Sequence, residues 1–160
     1  GMTADEDRKK NEDFSDPYFN ASHAIIVAND SDIVSRTDLN GKTVGVQLGT
    51  TGDKYCTNED GENDITVAEV KRYSKGMEAV SDLIAGRIDA VVIDNFPAEK
   101  LVEKNSDKVK KLDEALTSEE YAIAMPKGST ELQKMVNEVL KEMQDSGEMD
   151  EIVGKYISAE

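Results

Sequence analysis

The stretch Lys42-Thr-Val-Gly-Val-Gln-Leu-Gly-Thr-Thr-Gly-Asp-Lys-Tyr55 restricts the folds open to this chain more than any other. Thr43 to Gln47 reads as a short buried strand that stops at Leu48-Gly49 and turns into a helix near Gly52. Glycine lets backbone N–H groups approach a ligand closely, and threonine adds hydroxyls that cap a helix or bind an anion. The N–H groups and positive dipole end of such a helix suit a carboxylate or a phosphate. The plainer reading is a capped turn that binds nothing.

From this turn onward the pattern alternates. Strands are expected at 69–73, 90–93, 109–112 and 121–125, with helices at 52–57, 76–85, from Pro97 to about 105, at 130–145 and at 148–156. Met77, Val80, Leu83 and Ile84 fall on one face of the 76–85 helix. Ahead of the turn, 24–28 is an apolar run short enough for a buried strand, and 3–20 is polar apart from Phe14, Tyr18 and Phe19. Alternation of this kind implies an α/β fold with a mostly parallel central sheet.

Composition removes several functions. A net charge of −15 over 160 residues argues against nucleic acid and anionic membrane surfaces, which call for basic patches. No apolar run approaches the length of a membrane span. Cys56 is the single cysteine and His23 the single histidine, which leaves a structural zinc site without its usual ligands and an internal disulfide without a partner. The turn lacks the Gly-Lys-Ser/Thr ending of a phosphate loop, and no Gly-x-Ser-x-Gly elbow is present. His23 reads as a polar residue flanking a strand. No catalytic residue, metal or cofactor is expected.

In an open α/β sheet, ligands bind beyond the carboxyl ends of the strands where strand order reverses. If 43–47 and 90–93 are neighbours there, Gly49, Thr50 and Thr51 share a crevice with Asp94 and Asn95. One loop suits an anion and the other presents a carboxylate. Asp94 would repel a phosphate, whereas a zwitterion satisfies both loops, so the pairing points to an α-amino acid. The competing reading of Asp94 is a helix N-cap ahead of Phe96-Pro97.

Five segments together resemble one family. They are Met2-Thr-Ala-Asp-Glu-Asp-Arg-Lys-Lys10, Asp13-Phe-Ser-Asp-Pro-Tyr-Phe19, Asp38-Leu-Asn-Gly-Lys-Thr-Val-Gly-Val-Gln-Leu-Gly-Thr-Thr-Gly52, Gly86-Arg-Ile-Asp-Ala-Val-Val-Ile-Asp94 and Ser118-Glu-Glu-Tyr-Ala-Ile-Ala-Met-Pro-Lys-Gly128. In this order they resemble the family 3 extracellular solute-binding proteins, amino-acid receptors of ABC importers. The resemblance implies a periplasmic-binding-protein type II-like fold in which two α/β lobes close over an amino acid. It makes Thr3 and Arg8 first-lobe carboxylate contacts, Arg8 as the bidentate partner. Gly49, Thr50 and Thr51 become the second-lobe carboxylate turn, Asp94 the ammonium partner and Gln47 a residue selecting the side chain. It also implies an ABC transporter permease as partner and a place outside the cytoplasm, although this chain shows no signal peptide. Against the family's pattern the first lobe lacks its N-terminal half, which divides the chain into a remnant of lobe 1 at 2–24, a complete lobe 2 at 25–111 and a return segment at 112–160.

Two other readings stay open: a non-binding remnant or interaction domain, and a dehydratase or transglycosylase-like enzyme on the same fold. The return segment adds one expectation. Leu132, Met135, Val136, Val139, Leu140 and Met143, then Ile152, Val153, Tyr156 and Ile157, make an apolar stripe at helical spacing. Such a surface is expected to be buried in a homodimer built around 129–157.

Overall fold

The structure is a computed structural model and describes residues 1–59 and 61–156, so Asp60 of the acidic loop and Ile157 of the apolar stripe lie outside the described residues. The chain forms two compact units, one of residues 22–118 and one of residues 1–21 with 119–160. The expected lobe had narrower bounds, 25–111.

In chain order the elements are β1 (Met2–Thr3), α1 (Glu6–Asn11), β2 (Glu12–Phe14), β3 (Phe19–Ala28), β4 (Thr43–Gln47), α2 (Thr51–Thr57), β5 (Glu69–Tyr73) and α3 (Gly76–Ile84). They continue with β6 (Ala90–Asp94), α4 (Asn95–Lys104), β7 (Val109–Lys111), β8 (Thr117–Ala122), β9 (Ala124–Pro126), α5 (Thr130–Ser146) and α6 (Glu148–Tyr156). The chain passes from one unit to the other within β3 and again within β8.

The larger unit is an α/β layer structure. β4 lies between β5 and β6 and runs parallel to both. β3 is antiparallel to β6, and β7 is antiparallel to β3. Successive residues of a strand face opposite sides of the sheet, and here each side has its own apolar cluster. Ile25, Val27, Val44, Val46 and Val92 pack with Cys56 of α2. Ala24, Ile26, Val91 and Ile93 pack with Ala79, Val80 and Leu83 of α3 and with Ala98 of α4. These strands are buried on both faces, which is why they read as unbroken apolar runs.

The face of α3 differs from the expected one. Ala79, Val80 and Leu83 are buried, whereas Met77 and Ile84 stand outside at 60% and 37% exposure. Met77 and Ile84 lie about 60° and about 40° round the helix from Val80, on the side away from Ala79, at the rim of the stripe.

Cys56 belongs to the core at 1% exposure, and burial pushes its thiol up to about 12, the charge of Asp53 adding to the shift. Since only the thiolate reacts, a disulfide reagent at pH 8 is expected to leave the native protein unlabelled and to titrate its single thiol on unfolding in guanidinium. Fast stoichiometric labelling of the native protein would contradict this packing.

The smaller unit is held together across long sequence separations. Met2 and Thr3 pair with Ala122 and Tyr121, and β2 pairs with β9 through Asp13↔Met125. The Asp13 carboxylate accepts from the N–H groups of Gly128 and Ser129 at 2.8 and 3.1 Å, at the entrance to α5. It also meets Lys127 Nζ at 3.1 Å, and that bond holds the carboxyl below its ordinary range. The span expected as one strand at 121–125 is two, because β8 and β9 pair with different partners.

The apolar stripe of the last two helices divides. Leu140 and Met149 are buried, while Leu132, Met135 and Val139 are exposed at 47%, 62% and 52%.

Candidate functional site

The Gly49–Gly52 turn owes its shape to Asp53. β4 ends at Gln47, Gly49 takes φ +75°, and Thr50 is the N-cap of α2. Thr50 Oγ1 donates to the Gln47 carbonyl at 2.8 Å and accepts from Asp53 N at 3.2 Å. The Asp53 carboxylate, 6% exposed, accepts from Gly49 N at 2.9 Å and from Thr57 Oγ1 at 3.1 Å. Arg72 Nε on β5 approaches both its oxygens, at 2.9 and 3.1 Å. A buried carboxylate is stable only with such partners, and three groups donating to it lock the turn.

This network changes the roles within the turn. The Thr50 hydroxyl and the Gly49 N–H are committed to the cap and to Asp53. Thr51, half-buried at the first helical position, carries the hydroxyl that takes no part in the network. Asp53 and Arg72 went unread in the sequence because they meet only once α2 and β5 are folded against β4.

Asp94 closes β6 and is the N-cap of α4, its Oδ1 accepting from Phe96 N at 3.2 Å. The capping reading therefore describes Asp94 correctly. It does not exhaust a carboxylate, which has two oxygens and about four acceptor positions. Next to it Lys111 Nζ donates to Asn95 Oδ1 and to Glu99 Oε1, both at 2.8 Å, and this bond keeps the Glu99 carboxyl below its ordinary range. The start of α4 is thereby fastened to β7.

Strand parity tells which of these residues share a side. Asp94 is two residues beyond Val92, so both project to the α2 face. A Cβ placed on Gly52 would lie 2.8 Å from Val92 Cγ1, which puts the first turn of α2 directly over this end of β6. With β4 and β6 adjacent and parallel, Asp94 and the turn before α2 stand at the same edge and on the same face. Gln47 does not share that face. Gly45, two residues earlier, abuts Ile88, Tyr73 and Ala79 of the α3 side, so Gln47 projects there.

His23 is neither at a strand end nor exposed. It lies within β3 at 3% exposure, paired in register with Asp94.

Thr3 and Arg8 belong to the smaller unit. The Thr3 hydroxyl donates to Glu119, and Arg8 Nη1 donates to the Thr3 carbonyl at 2.9 Å while its Nε stands 3.6 Å from Asp5. The two residues thus touch each other, with Glu119 an acidic neighbour that sequence reading passed over. No group of three or more His, Cys, Asp or Glu side chains gathers for a metal among the described residues.

Known proteins resemble this chain over nearly its whole length. The L-cystine-binding protein TcyJ of Escherichia coli (strain K12) is 33% identical over 161 residues, covering 99% of this chain and 59% of the relative. The arginine-binding extracellular protein ArtP of Bacillus subtilis (strain 168) is 37% identical, covering 100% of this chain and 62% of its own length. This chain thus spans about three fifths of the curated relatives it matches. Among solved structures, an ancestral arginine-binding protein bound to arginine matches with a TM-score of 0.85 at 42% identity, over 98% of this chain and 69% of that one. A mutant of ArgBP from T. maritima matches with a TM-score of 0.85 at 44% identity, over 99% and 67%. The profile of the bacterial extracellular solute-binding proteins, family 3, matches residues 1–159, so with its parallel β5-β4-β6 core and its threonine turn beside Asp94 the chain belongs to that family.

Proposed function

We propose that this protein is a substrate-binding component, or part of one, of an ABC importer, and that its ligand is a polar or general α-amino acid. The observation that carries the reading is the placing of Asp94 and the first turn of α2 on one face at one edge of the sheet. An ammonium group suits Asp94. A carboxylate suits the Thr51 hydroxyl and the N–H groups at the head of α2, with Thr50 and Gly49 shaping the turn. Thr3 and Arg8 are further carboxylate contacts by likeness to the family. Gln47, on the other face from Asp94, is suited to the ligand's side chain rather than its α-carbon groups. A permease as partner and a site of action outside the cytoplasm rest on family likeness alone, as does the division into 2–24, 25–111 and 112–160. The relatives are named as amino-acid-binding proteins, so binding rather than catalysis is favoured.

Relatives are named for cystine and arginine, and others for glutamine and histidine, so these four are the first ligands to try. Titration calorimetry of the chain against each is expected to show binding of at least one. No heat from any of them up to about 1 mM, which corresponds to a binding free energy of roughly −4 kcal/mol, would favour a non-binding interaction domain.

A second reading concerns a protein partner. Leu132, Met135 and Val139 of α5 are exposed, as are Ile152 and Tyr156 of α6 at 39% and 67%. Each such side chain gains roughly 1.5–3 kcal/mol when fully buried. We propose that two copies cover this surface as a symmetric homodimer through residues 129–157. Light scattering is expected to give a dimer and Val139→Glu a monomer; a wild-type monomer at about 50 µM, where a micromolar dimer would be populated, ends the idea.

A further inference from the structure

We propose that His23 is a positioning residue of the amino-acid site, a wedge that sets Asp94 and the first turn of α2 against each other; the role as stated rests on the ligand reading above. His23 and Asp94 are register partners in the antiparallel pair β3–β6, so their side chains lie side by side on one face. That face is the one α2 covers. A Cβ on Gly52 would lie 2.6 Å from His23 Cδ2 and 3.3 Å from its Nε2, so the imidazole already occupies the space beneath the turn. Glycine at 52 is what allows so close an approach. Ring and turn are therefore in contact, and neither can shift without the other.

The third side of the wedge is β8. His23 N donates to Thr117 Oγ1 at 3.2 Å, and the same hydroxyl lies 3.4 Å from His23 Nδ1. Leu116 N donates to the His23 carbonyl at 2.8 Å. His23 is thus clasped by backbone and side chain to residues 116–117, and its ring orientation follows from that clasp. The polar partners named here are residues 116 and 117, and on the side of α2 the ring packs against Gly52. An apolar residue of similar size would fill the space without holding a fixed orientation.

The test uses His23→Leu, which keeps bulk and loses the clasp, and His23→Asn, which keeps a polar atom near the position of Nδ1. Amide ¹H–¹⁵N spectra are recorded without ligand, and affinity is read by calorimetry. In His23→Leu the amides of 51–54 and 94–96 are expected to move together, and amino-acid affinity to fall about tenfold at a melting temperature close to wild type. His23→Asn is expected to recover part of the affinity. Shifts confined to β3 and β8, or wild-type affinity in His23→Leu, overturn the proposal. Should the wild-type chain bind no amino acid, the ligand reading fails and the spectra alone decide the wedge: joint movement of both loops upholds it and separate movement overturns it. Should His23→Leu fail to fold, Thr117→Val releases the clasp with His23 in place, and the same two loops must move.

Discussion

Replacing Asp94 by asparagine is expected to weaken amino-acid binding at least about thirtyfold while leaving the melting temperature within a degree or two of wild type. The two jobs of this side chain separate in that variant. As N-cap of α4 it needs only an oxygen that accepts from Phe96 N, which asparagine retains. As the proposed partner of an ammonium it needs its charge, which asparagine lacks. Removing one member of a desolvated, hydrogen-bonded charge pair typically costs about 2–5 kcal/mol of binding. Alanine removes both functions, so Asp94→Ala should lose binding and also about 1 kcal/mol of stability, the ordinary cost of a lost cap. Calorimetry and thermal melts on the two variants give four numbers. An asparagine variant that binds as tightly as wild type would reduce Asp94 to a cap and remove the ammonium site.

Asp53→Ala is expected to be the most destabilising change at the site, at about 2–3 kcal/mol, or about 5–10 °C in melting temperature. The carboxylate is buried and takes donations from Gly49 N, Thr57 Oγ1 and Arg72 Nε. Without it, Gly49 N–H loses this acceptor and Arg72 loses its charged partner. Arg72 is 42% exposed and can turn to water, which is why the effect should fall below the cost of orphaning a fully buried charge. Asp53→Asn should recover about half, because an amide oxygen still accepts from Gly49 but offers Arg72 no charge. A melting temperature for Asp53→Ala within a degree of wild type would show that the turn keeps its shape without the carboxylate.

How much of this was legible beforehand follows the range of the interactions. β4 and β5 fall where apolar spacing and flanking turn residues put them, and the turn before α2 is visible in its glycines and threonines. α1 was not visible. It has no buried residue and no apolar period, and rests on the Asp5 cap and the pairs Lys9–Glu6 and Lys10–Asp7. Only the second half of β3 announces itself, since residues 19–23 carry no continuous apolar run. Thr50 and Asp94 were legible as caps, because a side-chain oxygen at the start of a helix suits that role. His23, Arg72 and Glu119 were not, because their partners lie at Asp94, Asp53 and Thr3, far off in sequence.

The two passages of the chain through β3 and β8 also set an order of events. Residues 22–118 are continuous, and their sheet can close as soon as they have left the ribosome. Residues 1–21 cannot finish at that point, because Met2 needs Ala122, Asp13 needs Gly128 and Ser129, and Phe14 O needs Gln133. Residues 1–21 are made before residues 22–118 and are structured after them. During synthesis Phe14, Tyr18 and Phe19 wait uncovered, and that interval is where a chaperone or a misfolded encounter would find this protein.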